Sequence, residues 1–101
     1  MPIRVHANEL TTPIIIRWGK VHGAAAEVLW DEFVAEIEAG EDGVPKGAVV
    51  DSSTDPPTYW YSVPGGGLAE LEVRNRRSWL FGRDIEVVIV NLIFSPIPLG
   101  G

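Results

Sequence analysis

The run AAAEVLWDEFVAEIEA, residues 24–39, constrains the fold more than any other stretch. Ala26, Leu29, Trp30, Phe33, Val34 and Ile37 recur at three- and four-residue intervals. At 100° per residue they fall on one arc of roughly 140°. That spacing predicts an amphipathic helix over about 24–39 with one face on a core. Gly40 follows as a C′ glycine. No Ser, Thr, Asp or Asn lies just before Ala24 as a cap, so either the helix begins nearer Val21 or its first turn is loose.

Around this helix the sequence reads as strands and turns. Residues 2–6 alternate as a short strand, and Asn8 to Thr12 read as a turn. Ile14-Ile15-Ile16-Arg17-Trp18 is a β-branched run and is read as a second strand. Gly19 to Gly23 is read as a break. Ala48 to Val50 and Thr58 to Val63 follow as strands, separated by a loop with paired prolines. Leu68 to Arg74 alternates, with Ala69, Leu71 and Val73 on one face and Glu70, Glu72 and Arg74 on the other. Asn75-Arg76 reads as a turn, Ser78 to Phe81 as a strand, and Gly82 to Asp84 as another turn. Ile85 to Phe94 closes the set. It is apolar on both faces, as expected of a central or doubly covered strand. The order predicts a single α+β domain over residues 1–101, with one main helix on an antiparallel sheet of four to six strands and the late strands joined as hairpins.

Tyr59-Trp60-Tyr61 runs into Pro64-Gly65-Gly66-Gly67. A phosphate cradle needs a helix after the glycines, and a P-loop needs Lys then Ser or Thr. Leu68-Ala69-Glu70 follows instead, so these glycines are read as a hairpin or loop. In a strand, Tyr59 and Tyr61 share a face and Trp60 takes the other. One arrangement puts Trp60 in the core beside Leu29 and Phe33. The other sets the tyrosines along a groove. Trp30, Tyr59, Trp60, Tyr61 and Trp79 are the candidate binding residues.

Charge is divided along the chain. Glu27, Asp31, Glu32, Glu36, Glu38, Glu41 and Asp42 lie in one stretch without a single Lys or Arg, and make up half of the 14 acids. The i,i+4 pairs Glu27/Asp31 and Glu32/Glu36 repel. Arg74, Arg76, Arg77 and Arg83 make up half of the eight basic residues and cluster near the late hairpins. An acidic helix face and a basic edge suit complementary docking between copies or with a basic partner. Glu27, Asp31, Glu32, Glu36, Arg74, Arg76, Arg77 and Arg83 are the candidate contacts.

Several chemistries find no support. The net charge of −6 disfavours binding nucleic acid through bulk charge. Cysteine is absent, and no ligand-spaced acids accompany His6 or His22, so no metal site or cofactor is expected. Asp51, Ser53 and Asp55 imitate a calcium loop, but Pro56 and Ser62 stand where it needs glycine and glutamate. The apolar run from Val87 to Phe94 is broken by Asn91 and too short to span a membrane as a helix. A cytoplasmic protein is expected.

Leu68 to Arg74, Trp79-Leu80-Phe81 and Val87 to Phe94 together resemble the late strands of RelE/HigB-type toxins. That resemblance implies a small β-α-β-β-β ribonuclease with Arg74, Arg76 and Arg77 facing RNA. Such toxins are usually basic, whereas this chain is acidic and ends in SPIPLGG. The reading that the residues favour is a non-enzymatic domain that self-associates as a dimer or tetramer. Its apolar surplus would be Trp18, Tyr59, Tyr61, Trp79 and the segment Ile97-Pro98-Leu99. The alternative is a small-molecule site or enzyme with a pocket between sheet and helix, lined by Trp30, Trp60 and Tyr61.

Overall fold

A computed structural model of the chain describes residues 3–40, 42–78 and 82–94. The fold is α+β. Five strands form one sheet in the order β1-β5-β4-β3-β2, with β1 spanning Ile3–Ala7, β2 Val49–Asp51, β3 Thr58–Ser62, β4 Leu68–Ser78 and β5 Gly82–Ile93. Strands β2 to β5 form an antiparallel meander. The first strand lies beside the last and runs parallel to it, so the sheet is mixed rather than wholly antiparallel. β5 has a partner along each edge, the central place that its apolar sequence suggests.

The Ile14–Trp18 run is not a strand. Thr12–His22 forms a helix, α1, with proline in its first turn. Proline there loses no hydrogen bond, because that N–H would have no helical partner. Asn8 closes the turn ahead of it: its Oδ1 accepts from the Thr11 N–H at 2.9 Å, and its carbonyl accepts from the Thr12 N–H at 3.0 Å. Burial then follows the helical period. Trp18 is buried, Ile14 and Ile15 pack on the core, and Ile16, Arg17 and Lys20 are exposed. Strand propensity lost here to tertiary context. Trp18, expected among the exposed apolar groups, is 2% exposed.

A short 3-10 turn, Gly23–Ala25, joins α1 to the second helix, α2, Ala26–Ala39. In one straight helix, Trp18 and Trp30 would stand about 18 Å apart. Their rings meet edge-on at 6.2 Å, so the chain bends at this turn. The turn also explains the missing cap. The Ala26 N–H bonds to the Gly23 carbonyl, so preceding backbone serves where a side chain would.

The periodic face of α2 reaches the core as the sequence requires. Phe33 and Ile37 are fully buried, and Ala26, Leu29 and Trp30 pack beside them. The opposing sheet face supplies Ala69, Leu71, Ile85, Val87, Ile89 and Leu92. Between Leu71↔Ile89 and Glu70↔Asn91 the register shifts by one residue, leaving Val90 unpaired in a bulge. The bulge flips the alternation, so Leu92 rather than Asn91 faces the helices.

Gly40 is not a left-handed C′ residue. It is extended, with φ −75° and ψ 160°. Its reason is close approach: a Cβ would lie 2.0 Å from the Val44 carbonyl oxygen. Gly40→Ala must therefore push the 42–46 segment off the end of α2. We expect a loss of about 1–3 kcal/mol of stability, as for other forced overpacking, measured by urea unfolding. A shift in the unfolding midpoint within error would contradict this packing.

The late hairpin is longer than its turn-like residues suggest. Asn75-Arg76 lies inside β4 and Gly82 to Asp84 inside β5, with Arg76 opposite Asp84, Arg77 opposite Arg83 and Ser78 opposite Gly82. Trp79 and the rest of the expected Ser78–Phe81 strand beyond Ser78 lie outside the described residues, as does Ile97-Pro98-Leu99.

Candidate functional site

The two helices cover only part of the sheet. β3 brings Tyr59 and Tyr61 to the helix side and Trp60 to the opposite face, where its partner positions are Val49 and Glu70. Trp60 is therefore not beside Phe33. Tyr61 is, with its ring stacked on Phe33 at 6.2 Å and 23°. Its hydroxyl donates a short hydrogen bond to Glu36 Oε2. Beyond Tyr61 the helix layer ends. Val50, on β2 opposite Tyr59, is 53% exposed on this side.

The uncovered margin forms a groove beside the end of α2. One hollow, of about 570 Å³, is lined by Ala39, Gly40, Asp42, Val44, Lys46 and Tyr59. A second, of about 370 Å³, adds Glu36 and Tyr61 and shares Ala39, Gly40 and Lys46. Two phenol rings thus meet two carboxylates and one ammonium. The Glu36 carboxylate raises the Tyr61 pKa to about 12, first by accepting its hydrogen bond, then with help from burial and from the charges of Glu36 and Glu32. At neutral pH, Tyr61 is therefore a proton donor that fixes Glu36 in place. Of the pocket residues expected from sequence, only Tyr61 lines this groove. Trp30 instead packs edge-on against Phe33 at 5.8 Å, and Trp60 donates its indole N–H to Asp51 Oδ2 at 3.4 Å.

The glycine loop is a packed turn. The Val63 N–H bonds to the Gly67 carbonyl at 3.0 Å. A Cβ on Gly65, at φ 88°, would sit 2.8 Å from Leu29 Cδ1 and 3.0 Å from His22 Cε1. The turn is pressed against both helices.

The sheet face away from the helices is closed by polar side chains. Glu86 of β5 reaches His6 of β1 at 3.4 Å and Arg74 of β4 at 3.3 Å, and Arg74 also meets Glu72 at 3.2 Å. These links cross three strands, and Val88, which shares their face, is 2% exposed. Thr58 donates to Glu70 at 2.6 Å. Asp51 accepts from the Ser53 hydroxyl and N–H and from Trp60. Those bonds hold its carboxyl below the usual carboxylate range, the Ser53 hydroxyl contributing most. Its role is an Asx turn. No group of three or more His, Cys, Asp or Glu is placed to hold a metal ion among the described residues. Nor, among them, is any helix long and apolar enough to cross a membrane.

The charged sets lie apart. Glu27, Asp31, Glu32 and Glu38 are exposed on α2. None of them makes an ion pair among the described residues. Val28, 67% exposed, sits within this acidic surface. Arg74 is engaged on the sheet, while Arg76, Arg77 and Arg83 lie farther along the hairpin. No family model, curated protein or solved structure matches the chain.

The phenol–carboxylate pair has a spectroscopic consequence. The protonated phenol is the form that Glu36 stabilises, so its folded pKa lies above its unfolded value. Its stabilising contribution is complete below pH 10 and is lost as pH rises through about 12. Ultraviolet titration should show one tyrosine ionising near pH 12, and Glu36→Gln should bring that midpoint down towards 10. An unchanged midpoint in the variant would remove the pair from the site.

Proposed function

We propose that the protein is a non-enzymatic interaction domain that self-associates, the arginine-bearing hairpin of one copy meeting the acidic α2 surface of another. The observation that carries this reading is the length of that hairpin. β3 pairs with β4 only over Leu68 to Glu72, and β1 pairs with β5 only over Ile3 to Ala7. Among the described residues, 76–78 and 82–84 therefore pair only with each other. They form an arm with no further strand on either edge among the described residues. A two-stranded ribbon alone is marginal in water, and open strand edges recruit partners.

The charge on the arm supports a polar partner. Arg77 stands directly opposite Arg83 in the register. Like charges at opposed positions destabilise a strand pair, and an acid from outside relieves the repulsion. The α2 surface has the converse problem. Its acids repel one another along the helix, and Glu36 and Glu38 lie at the helix end where negative charge is disfavoured. Docking arm on helix relieves both. Two copies can exchange this contact reciprocally about a two-fold axis.

Light scattering at low and high salt tests the reading. A species larger than the monomer is expected at low salt, dissociating as salt screens the contact. Arg77→Glu should weaken assembly about tenfold or more. It replaces a repulsive Arg77/Arg83 pair with an attractive one, so arm instability would not explain the loss. Glu32→Lys should weaken assembly likewise, and the two variants mixed should recover part of it. A monomer at both salts and at the highest attainable concentration would end this reading.

A further inference from the structure

The geometry points to the groove beside the end of α2 as a receptor for a guanidinium group, supplied by the arm of a second copy. This rests on the self-association reading and names the place where the arm docks. The groove combines what a guanidinium needs. Tyr59 and Tyr61 line its two hollows, one with each, and the Tyr61 ring is stacked on Phe33. Glu36, with one oxygen taken by Tyr61, has the other to accept a hydrogen bond. Asp42 adds a second carboxylate. A guanidinium is planar, always charged and weakly hydrated. It stacks on rings and forks onto carboxylates, whereas an ammonium is a compact, strongly hydrated point charge.

The rest of the acidic surface lacks this combination. Glu27, Asp31 and Glu32 are solvated positions on an exposed helix face, and attract cations of any shape. The groove alone adds a concave wall and oriented acceptors. The Tyr61 hydroxyl holds Glu36, and the close approach of Gly40 to the Val44 carbonyl brings the 42–46 segment against the helix end. Lys46 opposes the cation. It borders both hollows and sets a like charge beside the site. The expected occupant is Arg77 or Arg83. Arg74 is already held by Glu72 and Glu86.

Three variants of the full chain, compared by sedimentation equilibrium, test this. Glu36→Gln with Asp42→Asn removes both charges while keeping shape, and the asparagine tolerates the φ of 54° at position 42. It should weaken assembly about tenfold or more. Arg77→Lys with Arg83→Lys keeps the charge but removes the fork, and should weaken assembly to a similar degree. Lys46→Ala removes the opposing charge and should tighten it. If the lysine variant assembles like the wild type, charge alone suffices and the guanidinium receptor is overturned. If the Gln/Asn variant assembles like the wild type, the arm docks elsewhere. In both cases self-association survives, provided Arg77→Glu still disrupts it. A monomeric wild type overturns both readings together.

Discussion

The structure depends on β5 being paired along both edges. Its residues Ile85, Val87, Ile89 and Leu92 present a continuous apolar row to the helices. No other strand carries so long a row. The row holds the face of α2 that Phe33 and Ile37 fill, and each such side chain contributes about 1.5–3 kcal/mol on burial. Because β4 reaches β5 through a hairpin, β5 has one edge left, and the first strand closes it in parallel. A parallel neighbour cannot follow through a tight turn. It needs intervening chain, which here includes both helices. One central strand thus decides the mixed sheet, the place of the helix layer and the direction of the meander.

The position of the groove follows from the same geometry. The helix pair lies over β1, β5 and β4 and reaches β3 through Phe33 and Tyr61. The meander continues one strand farther, to β2. A sheet wider than its helix cover leaves a margin, and the residues there must tolerate water. Tyrosines suit it, since the ring packs inward while the hydroxyl meets a polar partner. On the other face no helix or second sheet covers the strands among the described residues. The links among His6, Glu86, Arg74 and Glu72 make that face compatible with solvent while their stems shelter Val88.

What could be read from sequence divides along physical lines. The α2 helix was legible because its burial period is strong and uninterrupted. Alternation likewise announced Leu68 to Arg74, where one face is buried and the other wet. The α1 helix was not legible, since three consecutive isoleucines speak for a strand and only burial of Trp18 favours the helical phase. The arm was misread for a related reason. Asn75 to Ser78 and Gly82 to Asp84 contain no apolar side chain, so no hydrophobic pattern marks them as strand, and polar residues there look like turns. At the site, Tyr61 stood out as part of an aromatic run. Its pairing with Glu36 crosses 25 residues and depends on how α2 lies over β3, which no local pattern encodes. Parity left two arrangements of β3 open, with Trp60 inward or the two tyrosines inward, and the tyrosines take the helix side.

The acidic helix gains meaning from what it lacks. Repelling i,i+4 pairs and acids at the negative helix end each cost a few tenths of a kcal/mol. The core beneath α2 absorbs those costs, so the fold does not require them to be relieved. A surface that keeps such terms is therefore less favourable alone than when it meets a cation. By linkage, any partner that neutralises these acids binds the folded chain with that relief added to its own contacts, and raises the stability of the fold as it binds. The arm is the mirror case, with arginine opposite arginine in the register and no third strand beside them among the described residues. Both elements are less stable exposed than engaged, and their unfavourable terms have opposite sign. A contact between surfaces of opposite sign would relieve both sets of terms at once.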